Sequence, residues 1–236
     1  AGRMAFDGAP RPGARIENRG TVTVAEQGLA ALVGPGVANS GTIRARLGRV
    51  ALAGAEGFTL DLAGDGFLAL DVTRQVAAAP AGGAALVTNT GTIEAERGHV
   101  LLTARAASSV LETLVEAGGR ISAPGGVVEA TAPGGAVRVP VGARLDASAA
   151  GGGGQVTVGA GRSGAATGLA ARTTVERGAE LRADATQAGD GGRVTVHSRD
   201  RTEMRGTASA RGAGLVGART GRGGLVEVSS KGSVAI

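Results

Sequence analysis

Chemistry in this sequence would have to come from carboxylates and two histidines. Acid–base cleavage of a glycosidic bond needs two carboxyl groups about 5–9.5 Å apart. Asp61 with Asp71, and Asp184 with Asp190, are the pairs spaced to attempt it. Sugar subsites commonly add aromatic platforms, and the chain has no Trp and no Tyr. His99 and His197 lack a neighbouring histidine at HxH or HxxxH spacing, so neither starts a metal site by itself. Both occupy variable positions of short strands and are expected near the surface. Gly64-Asp65-Gly66 and Gly189-Asp190-Gly191-Gly192 have the flavour of calcium-binding nonapeptides, but do not recur at nine residues. Lys231 precedes Gly232, the reverse of the order in a phosphate-binding loop. Cysteine is absent, which removes disulfides, thiolate metal sites and a cysteine nucleophile. These residues assign no catalytic group, no cofactor and no metal.

The elements that carry these residues follow a repeat. One unit is a Gly followed by a short alternating strand: Gly20–Val24, Gly41–Ala45 and Gly91–Ala95, with weaker copies at Gly119, Gly178 and Gly206. A second unit reads Gly, one residue, then Val, one residue, and a small aliphatic. Its copies start at Gly48, Gly98, Gly126, Gly135, Gly154, Gly192 and Gly224. Each alternates with a period of two, the signature of a strand with one buried face. Strands this close together leave no room for the long crossovers of βαβ units. A sandwich would want larger core residues. The pattern predicts an all-β protein, a single-stranded parallel β-helix, or β-solenoid, in which each turn stacks on the last at about 4.8 Å. About ten turns would make a rod of about 50 Å.

Composition agrees. Glycine is 44 of 236 residues and aromatics are three Phe, so the 42% hydrophobic content is small and aliphatic and suits a narrow core. Too few prolines and no period of three exclude collagen. No uninterrupted apolar run is long enough for a transmembrane helix. No leader peptide is read at Ala1, which fits a mature form or an excised piece. The net charge of +5 is almost all Arg, interleaved with acids, which predicts a solvated face and no nucleic-acid surface.

The three asparagines, Asn18, Asn39 and Asn89, each stand two residues before the Gly of a first unit. Stacked turns would bring them into a structural ladder along one corner. Residues 57–72 hold two close alternating strands and predict a projecting hairpin. Residues 75–84 read as a loop, and residues 104–117 as extended chain.

The run "ENRGTVTVAEQGLAALVGPGVANSGTIRARLGRVALAGAEGFTLDLAGDGFLALDV" resembles the filamentous haemagglutinin family of bacterial exoproteins. Residues 1–72 resemble the later part of the family's two-partner secretion domain. Residues 87–236, with "NTGTIEAERGHVLLTA", "ADATQAGDGGRVTVHS" and "GGLVEVSSKGSVAI", are similar to its shaft repeats. The resemblance implies one right-handed β-helical domain over 1–236 and export through an outer-membrane two-partner secretion transporter. It also implies an adhesive or structural role outside a Gram-negative cell, with a glycan or host surface as a ligand class. It carries over no site residues. Met4, Phe6, Val234 and Ile236 lie in short strands near the two ends with no polar cap. They predict end-to-end self-association, and the alternative function is a filament subunit polymerising head to tail. A polysaccharide-active enzyme is the remaining alternative.

Overall fold

In a computed structural model the chain is described over residues 3–9, 11, 13–61, 69–80, 83–107, 110–161, 168–214 and 221–236, with backbone alone at 3, 60, 61 and 69–71. It is a three-sided parallel β-helix. The first face stacks β2 (Arg15–Asn18), β5 (Gly36–Asn39), β10 (Val87–Asn89), β13 (Thr113–Ala117), β16 (Ala136–Val139), β19 (Arg172–Val175), β22 (Arg201–Met204) and β25 (Ser233–Ala235). The second stacks β3 (Thr21–Thr23), β6 (Thr42–Arg44), β11 (Thr92–Glu94), β14 (Arg120–Ser122), β17 (Arg144–Asp146), β20 (Glu180–Arg182) and β23 (Thr207–Ser209). The third stacks β4 (Leu29–Gly34), β7 (Arg49–Gly54), β12 (His99–Ala104), β15 (Val127–Thr131), β18 (Gln155–Val158), β21 (Arg193–Ser198) and β24 (Leu225–Ser230).

The glycine words are explained by two corners. A Cβ on Gly41, Gly91 or Gly119 would overlap the carbonyl oxygen of Gly20, Gly41 or Gly91 on the turn before. Gly48, Gly98, Gly126, Gly154, Gly192 and Gly224 form a second column with the same restriction. Successive turns touch backbone to backbone there, so any side chain would push the rungs apart. First units therefore open second-face strands and second units open third-face strands. Gly135 is a correction: the strand it precedes, β16, lies on the first face, paired with β13 and β19. There a Cβ would meet the Leu114 side chain, so the same word answers a different contact.

Inside, each face contributes columns of stacked aliphatics. On the second face Ile43, Ile93, Ile121, Leu145 and Leu181 are fully buried in consecutive turns. On the third, Val50, Val100, Val128, Val156 and Val194 do the same. Each such side chain is worth about 1.5–3 kcal/mol against exposure. On the first face the apolar column passes into Thr173 and Thr202, both fully buried. They stay satisfied because Thr173 Oγ1 donates to the His197 carbonyl at 3.1 Å and Thr202 Oγ1 to the Ser229 carbonyl at 2.8 Å.

The first face holds eight strands and the others seven, fewer turns than the expected ten, and seven steps make about 34 Å. Part of the difference lies between β7 and β10, where described chain pairs outside the stack. There β8 (Gly57–Asp61) and β9 (Ala69–Arg74) form an antiparallel pair. β1 (Arg3–Phe6) adds antiparallel to β8. Phe58 packs with Leu29 and Ala31 on the buried Ala51 and Leu101, and Phe6 stacks on Phe58 at 4.5 Å. This small sheet therefore covers the outer side of the third face over its first three rungs.

Gly98→Ala is expected to lower unfolding stability by about 1–3 kcal/mol or more, as overpacking against backbone does. Gly20→Ala, which meets nothing within 4 Å, is expected to stay within about 1 kcal/mol of the parent. Chemical denaturation of the two variants measures the difference.

Candidate functional site

The asparagines stand in register, Asn18 with Asn39 and Asn39 with Asn89. Asn18 Nδ2 donates to Asn39 Oδ1 at 2.7 Å, and Asn39 Nδ2 donates to Asn89 Oδ1 at 2.7 Å. Asn89 Nδ2 donates onward to the Gly118 carbonyl at 2.6 Å, where Ala117 takes the next place in the column. Asn39 and Asn89 are 1% and 0% exposed, and the ladder uses their amides on one another. It binds rungs together and leaves little for a ligand.

Met4 and Phe6 need a correction. Neither lies on the first rung of the helix. Their backbone partners are Leu60 and Phe58 in the antiparallel sheet, where Arg74 also ties down the Gly8 carbonyl at 2.6 Å. Val234 continues the inward column of the first face after Thr202, and is 43% exposed; Ile236 is 93% exposed.

Two of the carboxylates considered for acid–base work, Asp184 and Asp190, accept from backbone amides. Asp184, 4% exposed, accepts from the Arg211 amide at 2.7 Å and the Ser209 hydroxyl at 2.9 Å. Asp190 accepts from the Arg222 amide at 2.7 Å. Asp61 and Asp71 lie on β8 and β9, where their Cα partners are Ala69 and Thr59. Gly64-Asp65-Gly66 lies outside the described residues. Among the described residues no group of three metal-ligating side chains forms, and no helix is long and apolar enough to cross a membrane.

The outer charges pair both within a strand, as Arg201 with Glu203 at 2.7 Å, and across rungs. Arg44 reaches Glu94 at 2.9 Å, and Arg138 bridges Glu116 at 2.9 Å and Glu176 at 2.7 Å. The hydrogen bond from Arg138 holds the Glu176 carboxyl below its ordinary range. Interleaved Arg and Glu thus become ladders along the rod, and the excess positive charge is dispersed.

The histidines differ from each other. His99 is a correction: it is 8% exposed, buried on the outer side of the third face, with neither ring nitrogen bonded and Glu129 at 3.7 Å. The position is outward-facing, yet the ring is buried beside Glu129 of the next rung. His197 is half-buried and lines an open groove of about 510 Å³ with Gln155, Arg193, Thr195 and Glu227. Its Nδ1 stands 2.7 Å from Ser229 Oγ, which donates to Glu227 Oε1 at 2.7 Å. No spacing in the sequence joins His197 to Ser229; only the register of β21 on β24 does.

No protein-family model and no curated protein matches the sequence. A solved structure does: the HMW1 secretion domain from Haemophilus influenzae, at TM-score 0.61 and 25% identity, over 94% of this chain. The chain shares the fold of that secretion domain. It spans 62% of the length of that domain's solved chain.

Asn39→Ala is expected to cost about 1–3 kcal/mol, because Asn89 Oδ1 is left buried without a donor. Urea unfolding against the parent reads this. Burial pushes the Asp184 carboxyl up, but the Arg211 amide, Ser209 hydroxyl and Arg182 guanidinium pull it further down, so it sits below its ordinary value. A carboxyl with a lowered folded value stabilises above the unfolded value and loses that contribution as pH falls. Stability is therefore expected to drop on acidification below about pH 4, with a shallower slope in Asp184→Asn. Thermal melts between pH 5 and pH 3 test this.

Proposed function

We propose that this chain is part of an exported β-helical protein of a Gram-negative bacterium. An outer-membrane two-partner secretion transporter carries it out, and it serves an adhesive or structural role at or beyond the cell surface. The observation that supports this most is the match of 94% of the chain to a secretion domain. The filamentous haemagglutinin-like words include stacked strands of all three faces, the positions that build such a rod.

The physical design suits the role. A chain threaded outward can fold rung upon rung, since each turn pairs with the turn before it and needs only short-range closure. Mechanical strength comes from three ladders of parallel hydrogen bonds running the length of the rod. The reading is non-catalytic: Asp184 and Asp190 tie turns together through backbone amides.

The test is export. The chain is placed behind a secretory leader in a Gram-negative host, with and without a co-expressed outer-membrane two-partner secretion transporter. Accumulation in the medium only with the transporter is expected. Retention in the periplasm in both strains would contradict the proposal.

A further inference from the structure

The third face changes character along the rod. Over its first rungs the middle outer column is Ala31, Ala51 and Leu101, covered by Phe58. Further along, the same column is Thr157, Thr195 and Glu227, and it opens into the groove of about 510 Å³. Register places Gln155 beside Arg193, and His197 beside Ser229, on adjacent rungs. One stretch of the face is an apolar seat for the chain's own small sheet. The other is a polar surface that no described element covers.

Two features of the groove go beyond a solvated face. The first is the Glu227–Ser229–His197 chain. Ser229 has one hydroxyl proton, and it is given to Glu227. The 2.7 Å contact to His197 Nδ1 is then a bond that Nδ1–H donates, which fixes the tautomer. In the neutral ring Nε2 is left as an oriented acceptor. The second is Arg193. On the other two faces Arg44 and Arg138 reach carboxylates on adjacent rungs. Arg193 stands between Gln155 and Leu225 and makes no ion pair among the described residues. Its guanidinium, with five donors in a planar fork, is matched to an anionic oxygen pair that the protein itself does not supply.

We propose that this groove binds an acidic oligosaccharide containing uronate residues. Arg193 takes the carboxylate. Gln155 and Thr195 take ring hydroxyls, and His197 Nε2 and Glu227 accept hydrogen bonds from others. Arg193 and His197 are four residues apart on β21, about 13 Å, which suits an oligosaccharide rather than one sugar ring. The groove's lining, Thr, Gln, His, Glu and Arg with Ala160 and Gly161, favours a hydroxylated ligand over an apolar one. This deepens the adhesive reading by naming a ligand class, and its test needs no export, so the two can fail separately.

The experiment is isothermal titration of the purified chain with oligogalacturonate, oligomannuronate and hyaluronan oligosaccharides at low salt, with neutral malto-oligosaccharides alongside. At least one uronate series is expected to bind and the neutral series not. Arg193→Ala is expected to weaken that binding about tenfold or more. Ser229→Ala, which frees the imidazole, is expected to weaken it less. Arg120→Ala, on the second face, is expected to leave it unchanged. All three substitutions are on the outer surface, and circular dichroism melts confirm that each variant is folded. Absence of binding to every uronate series, equal binding of the neutral series, or equal effects of Arg193→Ala and Arg120→Ala would each overturn the proposal.

Discussion

Backbone meeting backbone at two corners is the constraint on which this molecule rests. Successive turns approach so closely at the Gly41–Gly91–Gly119 column, and at the column from Gly48 to Gly224, that no Cβ fits between them. That contact sets the rise to one strand spacing, about 4.8 Å. A fixed rise puts like residues over like on every face. The aliphatic columns, the asparagine ladder and the Arg–Glu pairs all follow from that registration. If the corners opened, none of these side chains would meet its partner on the next rung.

The narrowness of the rod follows from the same constraint. Three faces of short strands enclose room for Val, Ile, Leu and Ala, and the chain accordingly spends two of its three Phe outside, in the small antiparallel sheet. Hydrogen bonding supplements the thin core at the corners and at one end. Asn39 and Asn89 replace apolar contacts early in the helix; Thr173, Thr202 and Ser198 do so late, with Ser198 Oγ and Thr202 Oγ1 at 2.7 Å. A rod made this way offers function only on its outer faces and excursions. Those faces are where charge pairs, the covered apolar seat and the open polar groove are found.

The two glycine columns made the second and third faces legible, because the same steric demand recurs at every turn and leaves the same word behind. The first face left no such word. Its strands begin from Arg15, Gly36, Thr113 or Arg172, and its corners are not tied to one residue type. Gly135 shows the cost: a matching word there belongs to β16, on another face. Period two gave the inward side of each strand but not what lies over the outer side, so His99 reads as exposed and is buried. In the same way Met4 and Phe6 read as a strand of the helix, since antiparallel pairing with a hairpin more than 50 residues away leaves no local mark. The His197–Ser229–Glu227 chain joins two strands across a rung and has no local sequence signature at all.

The central claim, a single rod stacked rung on rung, is tested most directly by a distance along it. Thr21 and Thr207 lie in one outer column of the second face, six rung steps apart through Thr42, Thr92, Arg120, Arg144 and Glu180. Six steps make about 29 Å. The chain has no cysteine, so Thr21→Cys with Thr207→Cys gives two unique sites for spin labels. Pulsed electron–electron resonance on the doubly labelled chain is expected to give one narrow distribution near 29 Å, allowing for the label arms. A broad distribution, or one centred far from that distance, would contradict the stacked register and the account built on it.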